Sequence, residues 1–395
     1  MICWDEEMLT LDDICLQITD GSHFSPEDKG TGYPMLSVKD MRDDHFDLSE
    51  CKYVDEKDYE KLLANGCKPL LNDVVLAKDG SYLKTAFTIK EEQDIALLSS
   101  IAILRPDLNK VIPDYLSYFL KSKPVYRTVS LNYISGTALK RIILKGIKKI
   151  PVEFPVLEEQ QYRVYLLNYI QNIIKMRKQE LSKLDDLIKA RFVELFGDES
   201  IYDKEMLNDN VHEMFIGPFG SALKNEYFVA EEDSYCMVYE QKHAIQKTMD
   251  LPTRYIDEKK YNELKRFTVQ GGDIIVSCRG TIGEIYSIPK DAPIGVMHPS
   301  IMKIRLKNEK YCNLFFVMML NQYMRENIAK ANGSGIKMAV TATDLGREYF
   351  IVPPMSKQNE FADFVHQVDK SKAVVQEALD KAQLLFDSLM QKYFG

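Results

Sequence analysis

Lysine, arginine and glutamine side chains recur beside glycine and hydroxyl residues in two separate stretches of this chain, and that pairing suits one kind of chemistry. In the first stretch they are Lys39 and Arg42 after an apolar run, Lys78 and Lys84 around Gly80, and Lys140 and Arg141 just after Ser135-Gly136-Thr137. In the second they are Ser221 after Gly220, Gln241 and Lys242, Arg279 beside Gly280, and Lys337 after Gly333-Ser334-Gly335. Backbone amides in glycine-rich turns and Lys or Arg side chains grip phosphates, while Arg, Lys, Gln or Asn form paired hydrogen bonds with base edges in the major groove of DNA. Any one of these cations taken alone is more simply a solubilising surface charge, so the grouping carries the inference.

Other chemistries find no support. Gly333-Ser334-Gly335 lacks the third glycine of a dinucleotide loop, no phosphate-cradling G-x-x-x-x-G-K-[ST] occurs, and no G-x-S-x-G elbow is present. The six histidines, His23, His45, His212, His243, His298 and His366, include no H-E-x-x-H and no i, i+4 pair, so no metal site is expected. The seven cysteines contain no C-x-x-C and read as reduced, packed thiols. Carboxylate pairs such as Asp185-Asp186 read as solvated helix faces. No catalytic residue is expected, and the chain reads as a binder.

A length of 395 residues implies two or three domains, and 45% apolar with 28% charged residues describes an ordinary folded chain. The 51 cations against 59 anions give a net charge of −8, which argues mildly against bulk attraction to nucleic acid. Weak DNA affinity is therefore expected of the chain alone, with a larger complex supplying much of the phosphate binding. The N-terminus has no signal-peptide pattern, and the longest strongly apolar run, Leu314 to Leu320, is far too short for a bilayer, so no membrane association and a cytoplasmic location are expected.

An internal repeat organises the whole sequence. Pro155 answers Pro353, Gln160 answers Gln358, and Phe196-Gly197 answers Phe394-Gly395, all at an offset of 198. Upstream, Asn72 to Leu76 matches Gly272 to Val276, Gly80 matches Gly280, Gly21-Ser22 matches Gly220-Ser221, and Asp55-x-x-x-Tyr59-x-x-Leu62 matches Asp257-x-x-x-Tyr261-x-x-Leu264. Each copy has a globular part with β-rich runs, such as Asp73 to Ala77, Ile101 to Leu104, Ile274 to Ser277 and Ile301 to Leu306. Each then passes through a proline-bearing linker, Val352-Pro353-Pro354-Met355 in the second copy, into a proline-free helical segment. The resulting organisation is α+β, with globular parts at 1–157 and 198–354 and helical arms at 158–197 and 355–395.

The arms carry heptad seams. In the second, Phe361, Val365, Val368, Lys372, Val375, Leu379, Ala382, Phe386, Leu389 and Tyr393 alternate by fours and threes. In the first, Arg163, Leu167, Ile170, Ile174, Arg177, Leu181, Leu184, Ile188, Arg191 and Leu195 do the same. Helices of about 55 to 60 Å with such seams need a partner. Each arm is the other's nearest candidate, which predicts an antiparallel coiled-coil pair acting as a spacer, with Ile170, Ile174, Leu181, Leu184 and Ile188 meeting Val368, Val375, Leu379, Phe386 and Leu389. Arg177 and Lys372 either fix the register, face an outside partner or snorkel from the seam.

Taken together, these features resemble the specificity subunit of type I restriction-modification systems, and the resemblance covers essentially the whole chain. It rests on the order unit, helix, unit, helix; on Ile150 to Pro155 and Val352 to Pro354 followed by Gln160 and Gln358; on the Phe-Gly ends; on Gly217 to Ser221; and on Gly272 to Gly283. The resemblance implies a non-catalytic subunit with two target recognition domains, each reading one half of a bipartite, asymmetric double-stranded DNA site. It further implies that the arms bind two adenine-methyltransferase subunits and that two ATP-dependent restriction subunits join them. No cofactor would be held by this chain, and S-adenosylmethionine, ATP and Mg would belong to those partners.

Overall fold

The computed structural model describes residues 9–80, 83–135, 141–334 and 341–395. The chain divides into two compact units, Met1–Gln179 with Val375–Gly395, and Glu180–Val374. In the first unit, strand Cys15–Asp20 pairs antiparallel with Ile101–Pro106, then Val74–Ala77, then Ala86–Thr88. In the second, Val211–Ile216, Ile301–Leu306, Ile274–Ser277 and Ile285–Ser287 repeat that order. Even the irregularity recurs, with the register shifting between Cys15 and Gln17 and again between Val211 and Glu213.

The inner strands are the β-rich runs expected from sequence. Val74–Ala77 and Ile274–Ser277 are buried at every position, as apolar runs require when both faces of a strand are covered, and the one polar member, Ser277, is satisfied by hydrogen bonds. In the first unit Val74, Leu76, Ala102 and Leu104 face the helical side, while Val75, Ala77, Ile101 and Ile103 face a smaller sheet. That sheet sets Tyr33–Leu36 between Lys52–Val54 and Ala96–Leu97. Its counterpart centres on Cys236–Tyr239 and Gly295–Met297, flanked by Tyr255–Ile256 and Thr268–Val269. The repeated Asp-x-x-x-Tyr pattern is a helix start: Asp55 accepts the Asp58 N–H at 2.9 Å and Asp257 accepts the Lys260 N–H at 2.7 Å.

The two long helices are Leu157–Phe196 and Met355–Phe394, 40 residues each and so about 60 Å in length. Every seam position named from sequence is buried or half-buried in both. Within the first unit, Phe394 from the chain end joins the core that holds Val164 and Leu167, and Arg163 lies over the Tyr393 ring at 4.9 Å. Within the second, Phe192 and Phe196 pack with Phe361, and Arg191 bonds Glu360 at 2.7 Å. In each unit the start of one helix therefore meets the end of the other, the antiparallel pairing that the seams predicted. Of the seam cations, Lys372 reaches Asp185 on the other helix at 2.7 Å. Among the described residues no helix is long and apolar enough to cross a membrane.

The repeated glutamines seat these helices. Gln160 is fully buried; its Oε1 accepts the Ile112 N–H at 2.9 Å and its Nε2 donates to the carbonyls of Lys110 at 3.1 Å and Pro155 at 2.8 Å. Gln358, also fully buried, accepts from Cys312 at 2.8 Å and donates to Lys310 at 2.9 Å and Pro353 at 2.8 Å. One amide thus satisfies three backbone groups that would otherwise be orphaned in the interior. Gln358→Leu keeps the volume and strands all three, so it should lower stability by about 2–4 kcal/mol. Urea unfolding, with hydrogen exchange at Cys312 locating the loss, checks this; wild-type stability would remove the amide from its structural role.

Candidate nucleic-acid interface

The candidate residues gather at one edge of each main sheet, where the strand order forces separate loops together. In the second unit, strand Val211–Ile216 ends where Ile301–Leu306 begins, and Ile274–Ser277 ends beside them. Gly217 donates to the Ile301 carbonyl at 3.0 Å, and a Cβ on Gly217 would sit 2.3 Å from the His298 carbonyl oxygen. Only glycine permits that crossing. Cys278 donates to the Ser300 carbonyl at 2.9 Å, and His298 donates to the Tyr239 carbonyl at 2.8 Å, which brings in the start of helix Gln241–Gln246.

Arg279 projects from a turn that is stapled from beneath. The fully buried Ser277 donates its hydroxyl to the Thr281 carbonyl at 2.6 Å and accepts the Glu284 N–H at 2.9 Å. Gly280 and Gly283 supply the positive φ values, 67° and 87°, that the turn requires. The Gln241 amide nitrogen lies 3.3 Å from where a Cβ on Gly280 would be, so Gln241 and Arg279 belong to one surface. Among the described residues Arg279 is exposed and makes no ion pair. Lys242 is differently occupied: it is bound to Glu240 at 2.8 Å and to the Pro252 carbonyl. Glu240 also binds Arg254; burial pushes its carboxyl up, but the hydrogen bonds from Lys242 and Arg254 outweigh this and hold it below the usual carboxylate range. Burial lowers His243 and pushes the Cys278 thiol up to about 11, so both are neutral near pH 7. Ser221 is exposed on the turn Gly220–Ala222 that follows Gly217.

The first unit builds the same edge with other residues. Gly21 donates to Ile101 at 3.2 Å, and a Cβ there would lie 2.1 Å from the Leu97 carbonyl oxygen. Lys78 donates its N–H to Ser100 at 3.0 Å, and Ser100 Oγ accepts the Val38 N–H at 3.2 Å, which sets the exposed Lys39 alongside. Gly80 has a φ of 62°, matching Gly280. Leu83 takes the left-handed conformation, φ 59°, at the place of Gly283, with its side chain buried in the main core. Lys84 follows it, exposed, and lines a cavity of about 280 Å³ with Lys121, Lys123, Asp43 and Asp387. Arg141 is exposed and its strand runs along Asp79, since Ile142 donates to the Lys78 carbonyl at 2.9 Å.

Besides Lys242, two expected surface cations of the first unit are committed within the protein. Arg42 bonds Asp47 at 2.6 Å and the Lys39 and Met41 carbonyls at 2.8 and 3.1 Å, closing its own loop. Lys78 is buried and paired with Asp20 at 2.9 Å. Lys140 and Lys337 lie outside the described residues. Sequence reasoning passed over two neighbours on the same edges, the exposed rings of Phe24 and Phe219. The repeat read from sequence sets Gly21-Ser22 against Gly220-Ser221, but the fold sets Gly21 against Gly217, since Gly21 donates to Ile101 as Gly217 donates to Ile301; the loop insertion after Gly217 displaces the sequence match by three residues. Among the described residues no group of His, Cys, Asp or Glu could hold a metal ion.

Comparison with known proteins follows the duplication. The chain matches the family model of the type I restriction modification DNA specificity domain over residues 5–185 and again over 224–382. A Methanocaldococcus jannaschii protein carrying the name MjaX type I restriction enzyme specificity subunit is 22% identical, over 96% of this chain and 91% of its own. The EcoKI specificity subunit of Escherichia coli is 25% identical over 48% of this chain and 42% of its own. The crystal structure of the S subunit of a type I restriction-modification system from M. genitalium shares the fold, with a TM-score of 0.53 at 14% identity, covering 100% of this chain and 98% of that one. A chain from a structure of type I R-M complex assembly and conformational transition shares it too, with a TM-score of 0.54 at 12% identity and coverage of 98% and 97%.

The Lys78–Asp20 pair has an apolar counterpart. By register Asp20 opposes Ala102 as Ile216 opposes Met302, and Lys78 bonds Ser100 as Cys278 bonds Ser300. Asp20→Ile alone leaves a buried ammonium unpaired and should cost about 3–5 kcal/mol, whereas Asp20→Ile with Lys78→Cys, the second unit's solution, should restore most of the stability. Denaturant unfolding of both variants checks this, and a double variant no more stable than the single one would contradict it.

Proposed function

From membership of the type I restriction-modification DNA specificity family, to which this chain belongs with two such domains in tandem, we propose that each unit reads one half of a bipartite, asymmetric double-stranded DNA site. The paired helices scaffold the complex, binding two adenine-methyltransferase subunits, with two ATP-dependent restriction subunits joining that core. This chain contributes recognition and no catalytic group. S-adenosylmethionine, ATP and Mg belong to the partner subunits, and the complex works in the cytoplasm.

The observation that carries this reading is the pair of loop edges, alike in strand order and in the glycines at the crossing and the following turn, and unlike in side chains. Asp79-Gly80 stands where Arg279-Gly280 does, and buried Lys78 stands where Cys278 does. Two edges built on one strand framework with different donors would prefer different bases, which makes the combined site asymmetric. Their shared geometry favours one docking mode for both units. The net charge of −8 fits a subunit that discriminates between sequences while its partners supply most of the phosphate contacts.

Arg279 tests this reading. In the chain assembled with its cognate methylating subunit, Arg279→Ala should leave assembly intact and lower methylation by about tenfold or more, with relaxed base preference in one half of the site. Arg279→Lys, which keeps charge but loses paired hydrogen bonding, should retain affinity only if the contact is to phosphate. An unchanged rate and motif in Arg279→Ala would contradict sequence reading at this edge.

A further inference from the structure

All 18 phenylalanines lie among the described residues, and of these Phe24 and Phe219 alone are exposed, at 69% and 87%. They occupy the same loop of the two units. Phe24 follows Gly21 by three residues and Phe219 follows Gly217 by two, and those glycines are the ones that cross a neighbouring carbonyl at 2.1 and 2.3 Å from an added Cβ. Among the described residues neither ring stacks on another ring or carries a cation.

The backbone beneath each ring is fixed although the ring is not covered. The Ser22 hydroxyl donates to the Phe24 carbonyl at 2.7 Å and accepts the Phe24 N–H at 3.1 Å. The Phe219 carbonyl accepts the Ala222 N–H at 2.8 Å, closing the short turn Gly220–Ala222, and Pro218 restricts the residue before it. A large apolar ring held out on a rigid stem is unfavourable in water and useful against a surface that accepts it. Both stems rise from the loop edge where the candidate base-reading side chains gather.

We infer that Phe24 and Phe219 are apolar wedges, each partly inserted between neighbouring base pairs of its half-site so that one base step is unstacked. The inference rests on the reading that each unit contacts DNA. Aromatic and aliphatic side chains act in this way in proteins that kink the duplex, and every base offers a π face to a ring. A wedge at this place supplies sequence preference without hydrogen bonds, because pyrimidine–purine steps open more easily than others. It would also bend each half-site locally, which suits subunits that must reach an adenine inside the duplex.

The test uses the full chain assembled with its cognate methylating subunit and duplexes bearing the methylated motif. A fluorescent base analogue is placed in turn at each step not adjacent to a methylated adenine. One step in each half should brighten on binding. Phe219→Ala should abolish the brightening in one half and weaken binding about tenfold, Phe24→Ala should do so in the other, and Phe219→Trp should preserve it. Wild-type binding that brightens no step overturns the wedge, as does a Phe219→Ala complex with unchanged signal and affinity. Loss of assembly without any change at the DNA also overturns it, placing the ring in a protein interface. If Arg279→Ala weakens binding while Phe219→Ala does not, only the wedge falls; if neither changes it, DNA reading by this unit falls as well.

Discussion

A single buried carboxamide determines where each long helix leaves its globular part. Gln160 and Gln358 each join a turn after the main sheet, the start of a packed helix and the proline linker, through three hydrogen bonds apiece. An amide is the side chain for this task because it donates and accepts at once and carries no charge, so its burial costs little once all its bonds are made. A glutamate could not donate to two carbonyls, and a leucine could satisfy none of the three groups. With the first turn fixed, the heptad seam has a defined starting phase, and every later seam residue falls on the packed face. The direction of each arm from its own globular part thus depends on one residue near its beginning.

Each half of the repeat combines a fixed scaffold with a variable edge. Strand order, bulge position, pairs of a buried Asp with a half-buried Arg and helix caps recur in both units: Asp73 holds Arg105 as Asp273 holds Arg305. The loops at the sheet edge keep glycines at the crossing, Gly21 and Gly217, and at the turn, Gly80 and Gly280, with Leu83 taking the left-handed place of Gly283, but exchange their side chains. Even the interior below the edge has been rebuilt, with an ion pair in one unit and apolar contact in the other. Loop substitutions on a rigid sheet alter surface contacts without altering the fold.

Much of this was legible in the sequence because it depends on local or periodic patterns. The 3–4 spacing gave the helices, the all-apolar runs gave the inner strands, Asp55 and Asp257 gave helix starts, and the offset near 200 gave the duplication. The site was less legible because a cation's availability is decided by residues far away in the chain. Lys78 turns inward because Asp20, on another strand, is there to receive it; Arg42 is consumed by Asp47; and Lys242 and Arg254 share Glu240. Arg279 stays unpaired because Ser277 holds its turn outward and no described carboxylate reaches it. The exposed phenylalanines were hidden for the converse reason: their residue type signals burial, and only the fold places them outside.

In the proposed function, two similar units read two different half-sites. The most direct measurement is genome-wide adenine methylation in a host carrying this chain with its cognate methylating subunit, compared with a host in which residues 198–354 are replaced by another recognition unit. The predicted result is a split, asymmetric motif of which one half changes and the other half and its methylated adenine persist. Methylation at an unchanged motif after the exchange would contradict the claim and leave the second unit a scaffold without sequence reading.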